Sequence, residues 1–178
     1  MAALVHSFAP VIALGCHTLI LGSMPGERSL AVAEYYGHPR NAFWPIMGQL
    51  FGFSTLLPYP ERLEKLNEAG IALWDVMASC ERAGSLDTSI VGATVTPNAI
   101  PELLVHYPET QRIILNGTAA ATAFKKHIMP RMAASHRRCA VLQAPSTSPA
   151  HASMRHEDKL RVWETLLRTP TLSAQENG

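Results

Sequence analysis

Residues 18–26 have the sequence TLILGSMPG, in which a nearly continuous apolar run leads directly into a tight turn. Three later stretches have the same character: IALWDV at 71–76, RIILN at 112–116 and CAVLQA at 139–144. Apolar residues that do not alternate with polar ones are typical of strands covered on both faces, as in a parallel sheet. These stretches therefore predict four parallel strands.

The segments between and after these strands have helical character, over 41–51, 60–69, 97–106, 117–128 and 154–168. The second segment starts with Pro and stops before Gly70, an arrangement that favours a helix. Strands that alternate with helices predict an α/β fold, a three-layer αβα sandwich with a central four-stranded parallel sheet. We expect one domain over residues 1–168 and a frayed polar tail over 169–178.

Composition and cysteine usage exclude several classes of protein. Of the 178 residues, 47% are hydrophobic and 16% are charged, which excludes disorder over the whole chain. A net charge of +1 argues against a strongly basic protein that coats nucleic acid regardless of sequence. The three cysteines, Cys16, Cys80 and Cys139, are too few and too scattered for a disulfide framework or a four-cysteine iron–sulfur cluster.

No targeting or membrane segment is expected either. The N-terminal region has no Lys or Arg before Arg28, so it lacks the charged start of a signal peptide. No uninterrupted apolar run is long enough to span a membrane. Together with free cysteines, these features favour a cytoplasmic protein.

Polar and turn-forming residues collect where the predicted strands end, which is where open α/β sheets bind ligands. Three segments stand out, GSMPG at 22–26, EYYGHPRNAFW at 34–44 and PSTSPAH at 145–151. The first offers a turn with exposed backbone N–H groups. The second combines aromatic rings with an amide and an imidazole, which can stack on and hydrogen-bond a flat ligand. The third is a stiff loop whose hydroxyls can contact phosphates.

In this order the three segments resemble the motifs of the uracil-DNA glycosylase superfamily. The likeness is greatest to its hypoxanthine (deoxyinosine) DNA glycosylase branch, which has a Gly-Ser-x-Pro turn, a Tyr-Gly-His-Pro-x-Asn-x-Phe-Trp stretch and a Ser-Thr-Ser-Pro loop. It extends from about Thr18 to Trp163. The resemblance implies a monomeric DNA repair enzyme that flips a deaminated base out of the duplex and hydrolyses its N-glycosidic bond, without a metal or other cofactor. Hypoxanthine is the expected base, with uracil in mismatches as a second substrate.

The resemblance also implies a role for each segment. Asn41 matches the catalytic amide that positions water, and Tyr36 matches the aromatic residue that stacks on the flipped base. Gly22, Ser23 and Pro25 would line the same base pocket. Apart from the resemblance, Asp75 ends the second strand, where a base-binding residue could lie. His38 or His151 could donate to the base, although a histidine in a loop is more often structural or merely exposed. A loop that grips DNA would consist of Ser146, Thr147, Ser148, Pro149, Ala150 and His151.

Several positions depart from other branches of the superfamily. Residues 22–26 contain no water-activating Asp, Glu or Asn, and Ser146 replaces a His that stabilises the leaving base. Ala150 stands where other branches place a larger wedge, Leu or Arg. Asn41 can orient water but cannot act as a base, since a neutral amide has no useful basicity. The enzyme should therefore favour bases that leave well. With no lysine in the three motifs, a Schiff-base lyase is not expected.

Some residues have a second interpretation that the sequence leaves open. Asn41 could also cap the following helix, while Phe43 and Trp44 fit the core better than the site. Asp75 could read the base or organise a loop, and as an anion it would repel the departing base. Residues 116–117 could hold a phosphate or cap a helix. The basic residues between the last two strands fit a solvated surface better than a phosphate contact; they are Lys125, Lys126, Arg131, Arg137 and Arg138.

The sequence leaves one alternative function open and argues against another. A member of the same superfamily that binds nucleic acid or a nucleobase without cutting remains an alternative. An unrelated hydrolase lacks support, because the chain has neither a GxSxG elbow nor an HExxH metal motif.

Overall fold

A computed structural model describes residues 1–133 and 139–170 of the chain. Its strands are β1 (Ala3–His6), β2 (Thr18–Gly22), β3 (Ile71–Asp75), β4 (Met77–Arg82), β5 (Thr96–Pro97), β6 (Arg112–Asn116) and β7 (Ala140–Ala144). Its α-helices are α1 (Glu27–Val32), α2 (Phe43–Phe51), α3 (Tyr59–Glu68), α4 (Ile100–His106), α5 (Thr118–Ala123) and α6 (His156–Arg168).

The central sheet contains the predicted strands in the order β3-β2-β6-β7, and every neighbouring pair is parallel. This confirms the predicted fold class. The register places Gly22 beside Asp75 and Asn116 beside Ala144. The carboxyl ends of all these strands therefore lie at one edge of the sheet, where the loops that follow them meet.

Helices cover both faces of this sheet at β2, β3 and β6, which are buried over nearly their whole length. β7 is an edge strand on which Val141 and Gln143 are exposed, so the prediction that it is covered on both faces is wrong. On one face, Leu19 and Leu21 belong to a buried cluster with α4 and α5. On the other face, Ile20 belongs to a second cluster with α2, α3 and α6. Phe43 and Trp44 are buried in that second cluster, as the sequence favoured.

A second, antiparallel sheet of order β1-β4-β5 was not predicted. Its strands are short or mixed in polarity, so the sequence gives no alternating pattern to recognise. This sheet packs on the first buried cluster, and only Val76 separates β3 from β4. The antiparallel sheet thus fixes the direction in which the chain leaves Asp75.

The boundaries of several helices differ from the predicted ones. The first predicted helix begins at Phe43 instead of residue 41, and the last begins at His156. The segment 117–128 divides into α5 and a π-helical turn over Phe124–Ile128. Short α1 was not predicted.

Some predictions fall on residues that the structure does not describe. These are Arg137, Arg138 and all but the first two residues of the 169–178 tail. Within the described part of the chain, no helix is long and apolar enough to cross a membrane.

Asn98 connects the two sheets. Its side-chain Nδ2 donates to the carbonyl oxygens of Asp75 (2.9 Å) and Met77 (3.1 Å), and lies 3.2 Å from Oγ of Ser7. The sequence predicted that a helix begins near Asn98, but α4 starts at Ile100, and the amide instead holds the β3–β4 junction.

Replacement of Asn98 by Ala should destabilise the fold. The buried carbonyls at the β3–β4 junction would lose their donor, at a cost of about 1–3 kcal/mol in the free energy of unfolding. Urea denaturation measures this change. The exposed amide Gln49, changed to Ala in the same way, should alter stability by less than about 0.5 kcal/mol. Equal effects of the two substitutions would contradict the role of Asn98.

Candidate active site

A cavity of about 140 Å³ lies at the carboxyl ends of β2, β3 and β6. Its volume is close to the ~150 Å³ of protein cavities that admit one small aromatic ring. Most of the predicted site residues line it: Gly22, Ser23, Pro25, Tyr36, His38, Asn41, Asp75, Ser146, Thr147, Ser148 and Pro149. Ala150 and His151 line an open groove beside this cavity. The structure therefore brings the three sequence segments together around one space.

Gly22 is required by its neighbour on β3. A Cβ atom at this position would lie 2.5 Å from Oδ1 of Asp75 and 3.5 Å from the Tyr36 hydroxyl. A contact of 2.5 Å is far inside van der Waals distance, and the buried carboxyl has little room to move. The glycine thus allows the Asp75 carboxyl to lie against the backbone of β2.

The Asp75 carboxyl is buried without a hydrogen-bond donor from any described residue. Asp75 is 4% exposed, and its Oδ2 has no partner. Burial raises the pKa of Asp75 to about 7, with a further increase from Asp87 and an opposing effect of Arg82. Since its carboxyl bonds to no described loop, the structure does not support the loop-organising interpretation. Asp75 is thus a buried titratable residue in the lining of the cavity.

Tyr36 forms an aromatic wall of the cavity. Its ring stacks on Phe43 with centroids 3.9 Å apart and planes inclined by 22°. Its backbone φ is +55°, a left-handed conformation that side chains other than glycine adopt at a cost. Hydrogen bonds on both sides hold this conformation, from the Tyr35 N–H to the Tyr59 hydroxyl and from the Gly37 N–H to Oγ of Ser29.

The hydroxyl of Tyr36 is a second buried polar group at the cavity. Burial raises the pKa of Tyr36, and the nearby Asn116 side chain opposes this effect in part. Asn116 does not reach hydrogen-bond geometry with it, and no other described residue does. Tyr36 and Asp75 therefore both present an unsatisfied polar atom beside the same space, where a polar ligand would find partners.

Asn41 is not the N-cap residue of α2, which is Ala42, but its side chain does bond to the first residue of that helix. Its Oδ1 accepts a hydrogen bond from the Phe43 N–H at 3.0 Å, and its own N–H donates to the His38 carbonyl. Its Nδ2 has no partner among the described residues, so it retains a donor at the cavity. Nδ1 of His38 accepts the Arg40 N–H at 3.1 Å, which leaves Nε2 of this imidazole available.

The loop over residues 145–151 is held at several points by the rest of the fold. Asn116 bonds to Thr147 twice, from Nδ2 to Oγ1 and from the Thr147 N–H to Oδ1, both at 3.0 Å. The Thr147 carbonyl accepts the Ala42 N–H, and Trp163 donates to the Pro145 carbonyl. Lys159 is buried, with 5% of its surface exposed, and its ammonium group donates to the His151 carbonyl at 2.7 Å. The loop is thus fixed before any ligand binds.

The hydroxyls of this loop differ in what they can do. Thr147 is 1% exposed and its Oγ1 is bonded to Asn116, so it maintains the loop from inside. Oγ of Ser146 accepts the Ser148 N–H, and Oγ of Ser148 accepts the Ala150 N–H. Because both serine oxygens act as acceptors within the loop, their O–H groups are free to donate to an outside acceptor such as phosphate.

The sequence did not predict the part of the cavity wall that Ser85 and Asp87 form. Arg82 is 2% exposed and donates to the carbonyls of Pro25 and Gly84, which ties the first motif to this wall. Ser23 donates to Oδ1 of Asp87 at 2.7 Å. No local signal could have revealed these contacts, since Arg82 lies 57 residues after Pro25.

Asn116 has a role in the structure that the sequence did not predict. Its side chain bonds to Thr147 and does not cap α5, whose N-cap residue is Gly117 with a φ of +93°. The pattern of a polar residue at a strand end indicated its location, and only the folded loop revealed its partner.

Basic side chains flank the site unevenly. Arg28 lines the cavity and Arg40 lines a neighbouring depression; both are exposed and neither forms an ion pair with a described residue. In the cluster that the sequence assigned to a solvated surface, Arg131 pairs with Glu102 at 3.0 Å. Among the described residues, no group of His, Cys, Asp and Glu side chains could hold a metal ion.

Comparison with known proteins identifies the class of this fold and site. The family model of the uracil DNA glycosylase superfamily matches residues 10–167. The chain belongs to this superfamily, which confirms the resemblance seen in the three motifs and with it the prediction of a DNA glycosylase.

Individual relatives agree with this assignment. The chain is 37% identical over 113 residues to a hypoxanthine DNA glycosylase of Methanosarcina barkeri, a match that covers 63% of this chain and 70% of the relative. It is 29% identical over 142 residues to a hypoxanthine DNA glycosylase of Methanosarcina acetivorans, with coverages of 75% and 89%. A solution NMR structure from Methanosarcina acetivorans, of a protein provisionally assigned as a uracil DNA glycosylase, has a TM-score of 0.74 at 27% identity. That alignment covers 92% of this chain and 99% of the other.

The raised pKa of Asp75 predicts how stability depends on pH. The folded protein holds the Asp75 proton up to about pH 7, whereas the unfolded chain releases it near the ordinary value of 3.8. Asp75 therefore contributes stability at low pH that is lost as pH rises through this interval. Asn at this position does not titrate, so Asp75→Asn should not lose stability over this pH interval. Relative to wild type, the free energy of unfolding of the variant should therefore rise by about 2–4 kcal/mol between the two pH values.

Chemical denaturation at a series of pH values measures this difference. Asp158 is a suitable control, since its ion pair with Arg155 lowers the pKa of this exposed carboxyl. Asp158→Asn should show no gain with rising pH. A constant difference between wild type and Asp75→Asn would contradict a raised pKa of Asp75.

Proposed function

We propose that this glycosylase removes hypoxanthine from DNA by hydrolysis, with uracil in mismatched pairs as a second substrate. The observation that carries the proposal is the cavity with the dimensions of one base, in which a buried carboxyl and a buried hydroxyl have no protein partner. Unsatisfied buried polar groups are costly, so they indicate that a polar ligand completes the site. The names of the two curated relatives support hypoxanthine as that ligand.

In the proposed complex the flipped base continues an aromatic stack. The Tyr36 ring rests on Phe43, so its position is fixed before the base arrives. A flat ring against the other face of Tyr36 would gain offset stacking. A purine such as hypoxanthine offers more area for this contact than a pyrimidine does.

Asp75 and Tyr36 would bind the polar edge of the base. Hypoxanthine presents a carbonyl oxygen next to a ring N–H. With a pKa of about 7, Asp75 is present partly as a neutral acid near neutral pH, and in that form it can donate to the carbonyl oxygen. A neutral acid also avoids the repulsion that an anion would exert on the departing base.

Asn41 would hold the water that attacks the sugar. Its Oδ1 is committed to the Phe43 N–H, while its Nδ2 can donate to a water oxygen. The amide cannot take a proton from this water, so the water remains a weak nucleophile. The glycosidic bond therefore has to be largely broken before the water attacks. Such a reaction needs a base that leaves readily and hydrogen-bond donors around that base.

The substitution Asn41→Ser tests the proposal without loss of the hydrogen bond to the first residue of α2. A serine hydroxyl can still accept the Phe43 N–H, whereas Asn41→Ala loses that bond and about 1 kcal/mol of stability. Both variants should reduce single-turnover excision of hypoxanthine by at least about 100-fold, because both lose the Nδ2 donor and the shorter serine hydroxyl, held at the Phe43 N–H, does not extend to the position of Nδ2. Binding to the same duplex should remain close to wild type.

The assay uses duplexes with hypoxanthine, uracil or xanthine opposite each normal base, at fixed salt. Full activity of Asn41→Ser alongside loss in Asn41→Ala would indicate that Asn41 serves only to hold the start of α2. A folded wild-type protein that binds these duplexes but excises no base would contradict the proposal in favour of a binder that does not cut.

A further inference from the structure

We propose that Leu86 is the side chain that enters the base stack and fills the space left by the extracted base. This inference rests on the proposed function, since it concerns how duplex DNA is held during base extraction. Ala150 is exposed in the 145–151 loop, but its methyl group is too small to fill the volume of a base. Leu86 is 54% exposed and lines the open groove beside the cavity.

Leu86 and Ala150 line the same open groove, and that groove adjoins the base cavity. Asp87, Asn116, Ser146 and Ser148 line both spaces, so the groove and cavity share a border. A duplex positioned with one base in the cavity would therefore have its stack beside this groove. An apolar side chain in this groove lies where the empty step of the stack would be.

The backbone on both sides of Leu86 is attached to the wall of the cavity. Before it, Oγ of Ser85 accepts the Glu27 N–H at 2.9 Å. After it, the Asp87 carboxyl accepts the Ser23 hydroxyl at 2.7 Å, and the Ser89 N–H donates to the Leu86 carbonyl. A side chain that unstacks bases has to resist displacement, and these bonds hold Leu86 in place at the tip of its turn.

The chemistry of the groove favours DNA as the partner. Proteins that kink or open a duplex insert apolar side chains, leucine among them, between base steps. Among the described residues that line this groove, Asp87 is the only acidic one, and its carboxylate is bonded to Ser23. The exposed Arg28 at the neighbouring cavity adds a positive charge near the path of the backbone.

A comparison of excision from duplex and from single-stranded DNA tests whether Leu86 inserts into the base stack. A wedge matters only when a base must be removed from a stack between paired neighbours, which costs a few kcal/mol. Leu86→Ala should therefore slow single-turnover excision of hypoxanthine from a duplex by about tenfold or more, and from a single strand by less than about twofold. Leu86→Met should retain activity on both, while Leu86→Asn should behave like Leu86→Ala on the duplex.

Leu56→Ala serves as the matched control, because Leu56 is 92% exposed and lies outside the cavity and the groove. This variant should match wild type on both substrates. Equal loss of Leu86→Ala on duplex and single strand would overturn the proposal and indicate a distorted Ser23 turn. Unchanged excision from the duplex would also overturn it. Absence of excision by wild type on both substrates would instead refute the proposed function.

Discussion

The buried carboxyl of Asp75 constrains the residues around it more than any other group in the site. Gly22 has to lack a side chain because Oδ1 occupies the space of its Cβ. Asn98 fixes the backbone carbonyl of Asp75 from the second sheet. Arg82, itself buried, partly opposes the rise in the pKa of Asp75 and also donates to the Pro25 carbonyl. Two sheets and the first motif are thus arranged around one acid that has no hydrogen-bond donor of its own in the described chain.

A second constraint is that the loops around the cavity are fixed by groups far away in sequence. The Asn116 side chain at the end of β6 holds Thr147, 31 residues later. Lys159 and Trp163 of α6 hold the carbonyls at the ends of the same loop. An enzyme without a strong base depends on polar groups that are already in position before the reaction. If these groups had to move during the reaction, the free energy of that movement would reduce the stabilisation of the transition state. The sheet and α6 supply that placement.

The sequence predicted the central sheet because burial on both faces leaves a continuous apolar run, as in RIILN at 112–116. It could not predict the antiparallel sheet, in which β4 carries Ser, Glu and Arg and β5 has only two residues. Within the site, Tyr36 and Asn41 stood out because they lie in one dense local motif. Arg82 and the partner of Asn116 were missed because their contacts depend on the tertiary fold, which leaves no periodicity or spacing to read.

The position of Asp75 also bears on how a neutral site could promote departure of a base. In the proposed reaction the base gains negative charge as the glycosidic bond stretches. A growing negative charge beside Asp75 would raise the pKa of this carboxyl further, just as Asp87 does in the free protein. The proton would therefore be held more tightly in the transition state than in the initial complex, and its hydrogen bond to the base would strengthen as the bond breaks. An interaction that strengthens on the way to the transition state is the kind that accelerates a reaction. A buried acid with a pKa of about 7 can supply such an interaction where an exposed, fully ionised aspartate could not.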